Sequence, residues 1–404
     1  MTRFRFTSIS FLIALFSLIA GATAFAEDLV VWHAYRGAEK DAFEKVVAGF
    51  NAANAATKFK VTTTAVPYDP FADRITGAVP KGKGPDVFIY AQDRLGGWVE
   101  KGIVVPFAAD KKTTDRFLPG MMQATTLDGK VYGLPLNFKV ITMIYNKKLV
   151  ATPPQTTAEL EAIVKKLNDP KSGQWGLAYW YSNFYYHSML LNPFVKQSGG
   201  GVFDAGRKPT IDTDAARSSM KVLARWMPLL PPEPSAPLVK SLFNSGKVGI
   251  IFDGPWFIGE IQGVDFALAP LPKLADAGGV PLRPWITIEG AYISSQCKNT
   301  AAATEFIKYL TDTPAATTLA IEGRQAPANK NVWNDPKVSG DPILGGFRKQ
   351  VSNAVAMPNV PEMTLVWTPV TNAMNTIVKK SATPEEALKT AQQEVEAAIA
   401  AKKK

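Results

Sequence analysis

The sequence predicts an α/β protein, with helices wrapped around parallel strands. Three observations carry that prediction. Residues 29–32 (Leu-Val-Val-Trp) form a short apolar run. Gly37 then opens a segment with Phe43, Val46, Val47 and Phe50 at i, i+3, i+4, i+7 spacing, the stripe of a half-buried helix. Residues 59–64 alternate apolar and polar, and residues 87–90 (VFIY) are wholly apolar, as two further strands would be. Strands alternating with amphipathic helices argue for a sheet covered on both faces.

The rest of the chain repeats the theme. Residues 131–134 and 140–145 read as two strands separated by Pro135. Thr156 and Glu159 have the spacing of a capping box, with Leu160, Ile163, Val164 and Leu167 as the apolar stripe behind it. Met220, Leu223 and Met227 mark a helix that stops at the proline-rich residues 230–234. Residues 248–252 and 266–268 read as strands, and Phe306, Ile307 and Leu310 as one helix face. A last helix opens at Thr383-Pro384-Glu385-Glu386, where threonine caps, proline fits the first turn and the acids complement the dipole.

The first 26 residues stand apart. Arg3 and Arg5 precede the apolar residues 9–20, and Ala24-Phe25-Ala26 offers a small-x-small exit, the order of a cleavable secretory signal peptide. The apolar run is shorter than the roughly 20 residues that span a bilayer. Cleavage is expected near Ala26/Glu27, releasing an exported protein; with the resemblance given below, the compartment expected is the periplasm. The lone cysteine, Cys297, lies far from that point, so no lipid anchor is expected and no internal disulfide is possible. A chain of 404 residues can rely on its core, and its length suggests more than one domain.

The formal net charge is +10; Arg3 and Arg5 leave with the leader, and residues 402–404 are a lysine tail. No stripe of Lys and Arg marks a nucleic-acid surface. Two histidines, His33 and His187, and one cysteine form none of the clusters that hold a transition metal, so no metal is expected. No Walker loop, GxSxG elbow or dinucleotide fingerprint follows a strand, and no cofactor is expected. Asp93, Asp253 and Glu289 could supply a glycosidase carboxylate pair, and an exported enzyme stays open on that ground.

Four segments carry a family resemblance: GPDVFIYAQDRLGGWVEKG (84–102), GLPLNFKVITMIYNKKLVATPPQT (133–156), GKVGIIFDGPWFIGEI (246–261) and AMPNVPEMTLVW (356–367). In that order they resemble the maltose/maltodextrin-binding proteins of ABC importers, within solute-binding family 1. The resemblance implies a non-enzymatic, two-lobed periplasmic binding fold of type II, with each lobe a sheet flanked by helices and hinge strands between. It implies lobe one from residues 27–137 and 291–334, and lobe two from 138–290 and 335–404. The third crossing is thereby expected near residues 332–336. An oligosaccharide, best taken as maltose or maltodextrin, would lie in the cleft of a monomer that docks on permease subunits and, in this family, sometimes on a chemoreceptor.

The same resemblance nominates site residues. Asp93 and Arg94 match a pair that contacts sugar hydroxyls, and they follow a strand, where open α/β sheets bind ligands. Tyr90 stands in place of a stacking tryptophan; Trp256, Trp367 and Tyr185 match further aromatic platforms. Tyr35-Arg36 replaces an acid–base pair, His33 aligns with a ligand-contacting amide, and Asp73 with a first-lobe acid. Glutamates of the family become Lys139 and Asn183, and an arginine becomes Thr371. Glu289 is an added acid near the hinge, expected to accept a hydroxyl. Rings largely kept and charges largely changed point to a related but different sugar as the alternative, such as trehalose or a β-linked one. Each hydrogen bond to a charged group is worth about 1.5–3 kcal/mol.

Overall fold

A computed structural model describes residues 28–55, 59–118, 120–196 and 200–402; the expected leader and the end of the lysine tail lie outside them. The chain begins with β1 (Leu29–His33), α1 (Gly37–Ala53), β2 (Val61–Ala65), α2 (Tyr68–Ala78), β3 (Val87–Ala91) and α3 (Leu95–Glu100). Phe43, Val46, Val47 and Phe50 are the buried stripe of α1, as their spacing requires. β1 pairs in parallel with both β2 and β3.

The prolyl segment departs from expectation. Pro135 lies inside one continuous strand, β4 (Gly133–Val140), which continues after Ile141 as β5 (Thr142–Asn146). β4 is an outer strand; its far edge is met by residues 326–328 only from Leu136 onward. A proline is tolerated where the ladder has no use for its missing N–H.

The second lobe is built from β5, α4 (Thr157–Leu167), β6 (Trp175–Ala178), α5 (Phe184–Leu191), α6 (Asp214–Trp226), α7 (Ala236–Asn244), β7 (Val248–Asp253) and β8 (Phe266–Ala269). Its sheet has the order β8-β5-β7-β6. The Thr156 hydroxyl accepts from Glu159 N at 3.2 Å, while the Glu159 carboxylate reaches Gln155 N, one residue short of a reciprocal box.

The chain returns through β9 (Trp285–Ile293), then α8 (Thr300–Leu310), α9 (Thr313–Gly323), α10 (Pro342–Val351) and β10 (Val355–Ala356). β9 runs antiparallel between β3 and β4, so the first sheet is mixed rather than parallel, in the order β2-β1-β3-β9-β4. Its first residues also pair with β10. Where β3 ends and β10 has yet to begin, buried Gln92 fills the gap: its carbonyl accepts from Ile288 N at 2.7 Å and its amide donates to Met357 O. The chain finishes with α11 (Trp367–Val378) and α12 (Pro384–Lys402). Thr383 N and Glu386 N are satisfied reciprocally by the Glu386 carboxylate and the Thr383 hydroxyl, a full capping box.

Val332, Val338, Leu344 and Phe347 share the core of β1 and β4, whereas Met357, Met363 and Val370 share the core of α5 and α6. On that membership we propose that the third crossing is the 355–363 segment rather than 332–336. It is docked closely: Gly96 N donates to Asn359 O at 2.9 Å, and the Asn359 amide donates to the carbonyls of Gln123, Ala124 and Thr126. A Cβ at Gly96 would come to 2.6 Å of Asn359 O and closer still to the Pro361 nitrogen. Gly96→Ala is therefore expected to cost about 1–3 kcal/mol by overpacking. The urea midpoint checks this, with Gly97→Ala as the tolerated control, where the nearest atom is 3.4 Å away. Among the described residues no helix is long and apolar enough to cross a membrane.

Candidate functional site

Three strand ends supply the site, as the geometry of open sheets favours. After β3 come Asp93 and Arg94. The Asp93 carboxylate is buried at 6 % exposure and lies 3.2 Å from Arg94 Nε. Burial pushes its pKa up, against the Arg94 charge and the Trp367 indole. An acid and a base side by side, with the guanidinium partly open, can accept from and donate to the hydroxyls of a neutral ligand.

β7 ends in Asp253, which accepts Tyr186 OH at 2.9 Å and Gly254 N at 2.8 Å. Burial raises its pKa to about 6 despite these donors and the Trp256 indole. The Trp256 ring lies directly over Gly254, where any Cβ would collide with it. Trp256 stands 6.0 Å edge-on from Tyr185, Tyr185 6.3 Å from Trp285, and Trp285 6.0 Å edge-on from Trp367. Trp285 is fully buried and braced by its indole N–H to Gly200 O, so it backs the other three, which are partly exposed. The three rings nominated in lobe two thus form one row. Aromatic faces of this kind suit the C–H faces of sugars.

After β1 come Tyr35 and Arg36. Tyr35 is buried, and its hydroxyl lies 3.4 Å from the Asn137 amide, which also donates to Glu289 at 2.8 Å and to Gln325 at 3.0 Å. Lys139 Nζ sits 3.1 Å from Glu39 and 3.4 Å from Glu289. Burial works against the lysine charge, but Glu289 and Glu39 together outweigh it and its pKa rises. Burial also raises Glu39, with Lys139 opposing. Lys139 and Glu289, nominated separately, are therefore one ion cluster with an unforeseen third member. Arg36 is exposed and reaches Glu260 of the other lobe at 3.5 Å.

Four nominated residues are placed elsewhere or otherwise engaged. His33 is fully buried in the lobe-one core, packed on Tyr35 and Phe43, with Nδ1 accepting from Tyr35 N. Tyr90 is 4 % exposed, sandwiched between Phe71 and Tyr68, because a strand-end ring in a packed wall is worth more buried than open. Asn183 caps α5, its carbonyl accepting from Tyr185 N at 2.9 Å, which satisfies an orphan helix donor. Asp73 is exposed on α2, on the opposite side from buried Phe71 and Ile75. Among the described residues no cluster of three or more His, Cys, Asp or Glu could hold a metal ion. Tyr68, unread in the sequence, is half exposed and stacks on Tyr90 at 4.7 Å.

Residues 36–317 match the bacterial extracellular solute-binding protein family. The maltotriose-binding protein of Pyrococcus abyssi is 34% identical over 331 residues, covering 79% of this chain and 71% of that one. The galactooligosaccharide-binding protein of Bacillus subtilis is 25% identical over 396 residues, covering 95% and 92%. A cyclo/maltodextrin-binding protein solved with maltotetraose aligns with a TM-score of 0.82 and 32% identity, over 92% of this chain and 97% of that one. The family match runs through both lobes and most of the site, and by it this chain belongs to the bacterial extracellular solute-binding proteins.

Proposed function

We propose that this protein is the exported substrate-binding component of an ABC sugar importer. It holds a maltodextrin-like oligosaccharide between its lobes and delivers it to permease subunits. The row Trp256–Tyr185–Trp367, set beside the Asp93–Arg94 pair, carries the reading: flat faces for the sugar ring and charged donors and acceptors for its hydroxyls. The maltotriose-binding and maltodextrin-binding relatives support that ligand class. The leader reading supports export, with cleavage near Ala26/Glu27. Binding draws an open–closed equilibrium toward the closed form, which is the form the permease reads. The relatives are solute-binding proteins, so turnover is not part of this reading, and incubation with maltotriose should release no shorter sugar.

Trp256→Ala and Trp367→Ala are each expected to weaken maltotriose binding about tenfold or more, at an unchanged melting temperature. Titration calorimetry decides it; unaltered affinity in both variants refutes the site.

A second reading changes the sugar and keeps the class. Lys139, neutralised by Glu39 and Glu289, stands where the maltodextrin pattern carries a glutamate. A galactooligosaccharide-binding relative also aligns over nearly the whole chain. A thermal-shift comparison of maltotriose, trehalose and galactooligosaccharides separates the two readings by which sugar raises the melting temperature most.

A further inference from the structure

Tyr68 is the one large apolar side chain exposed among the described residues, at 50 %. It opens α2, immediately before a ring pile. Tyr90 lies 4.8 Å from Phe71 with planes 14° apart, and Tyr68 lies 4.7 Å from Tyr90 with planes 25° apart. Phe71 is fully buried and Tyr90 nearly so, and the Tyr90 hydroxyl donates to Tyr68 O at 3.1 Å. The pile is thus anchored at its inner end, and Tyr68 is the outer layer, held flat with its free face open.

Its position is at the carboxyl edge of the first sheet: α2 opens just after β2, which runs parallel to β1 and β3, whose ends lead to Tyr35 and Asp93. Desolvation acts first on the Tyr68 hydroxyl, with the neighbouring Tyr90 phenol and the charges of Asp93 and Glu289 adding to it, all raising its pKa. Asp93 also acts on Tyr185 and meets the Trp367 indole, so one carboxylate neighbours rings of both lobes. An apolar face kept open at the carboxyl edge of such a sheet has its desolvation completed by a ligand.

We propose that Tyr68 is a sugar-stacking subsite on the lobe-one wall, taking one pyranose ring of an oligosaccharide whose other units lie on the lobe-two row. This rests on the oligosaccharide reading above and adds to it a second wall. Tyr90, the ring nominated from the sequence, then serves as backing for the true contact surface. Two stacking walls favour chains long enough to reach both.

The test is calorimetric titration of maltose, maltotriose and maltotetraose into the mature protein and its variants. Tyr68→Leu keeps an apolar cover over Tyr90 and removes the flat face; Tyr68→Phe keeps the face and removes the hydroxyl. The expected result is about a tenfold loss of maltotriose and maltotetraose affinity in Tyr68→Leu, a smaller loss for maltose, and a change within about twofold in Tyr68→Phe. Wild-type affinity in Tyr68→Leu, with Trp256→Ala weakened, overturns the subsite and leaves the cleft reading standing. Wild-type affinity in Tyr68→Leu, Trp256→Ala and Trp367→Ala together, or no binding of any of these sugars by the unaltered protein, overturns both.

Discussion

Lys139→Met is expected to remove about 3 kcal/mol of folding stability at pH 8, the low end for breaking a buried ion pair. The low end applies because the lysine and its two partners keep side-chain exposures of 15 %, 29 % and 10 %. Without the ammonium, Glu39 and Glu289 become like charges in a desolvated cluster that also holds Tyr35 and Asn137. One carboxyl must then hold its proton far above the range of an unfolded glutamate. An acid whose folded pKa is raised gains stability as pH falls, so the deficit of the variant should shrink between pH 8 and pH 5.5. Adding Glu289→Gln should restore more than half of the loss by removing the second charge. Urea denaturation at the two pH values reads both effects. A single variant within about 0.5 kcal/mol of wild type at pH 8 would mean that the cluster contributes no more than an exposed pair.

Acid lability from the two histidines is the second large effect expected. Ser219 donates to Ala216 O, so the His187 Nε2–H must donate to Ser219 Oγ at 2.9 Å, leaving Nδ1 buried and unpartnered. A proton on Nδ1 would place a cation there with no acceptor, and burial lowers the His187 pKa to about 3. His33 Nδ1 is already occupied as acceptor of Tyr35 N. Its pKa falls to about 4, chiefly by burial, with Glu44 opposing. A base whose folded pKa is depressed leaves the unfolded chain with more bound protons below pH 6.5, so stability is full above that value and lost as pH falls toward 4. At pH 5 each histidine should cost roughly 2 kcal/mol relative to neutral pH. Asp253, raised to about 6, has the opposite sign and contributes more as pH falls. The histidine share is therefore read as a difference: His33→Asn and His187→Asn should each flatten the wild-type fall in melting temperature between pH 6.5 and 4.5. Parallel pH curves for wild type and variants would contradict it.

Legibility in the sequence followed locality. The stripe of α1 and the cap at Thr383 declared themselves, because each is a pattern within a single turn or two of chain. The lobe-two ring row was legible because Trp256 and Trp367 sit in recognisable motifs. β9 carried little signal of its own: it is buried almost throughout, only residues 286–289 alternate, and its role between β3 and β4 depends on partners about 150 to 200 residues away. The Lys139–Glu39–Glu289 cluster was hidden for the same reason, since its members come from α1, β4 and β9. Tyr68 was missed because Pro67-Tyr68-Asp69-Pro70 reads as a turn, and nothing near it announces that Tyr90 would bury its own face and hand the open one forward.

The position of β9 also bears on how the chain acquires its shape. Residues are made in order, and domains ordinarily close as soon as their own sequence has emerged. Here the strand that joins β3 to β4 begins only at Trp285, so those two, both available far earlier, have no common neighbour until two-thirds of the chain exists. Lobe two receives its last core helices, α11 and α12, later still. Contacts this distant in sequence slow collapse. In a nascent chain of this design, neither half has all of its strands and core helices until the final stretch of synthesis.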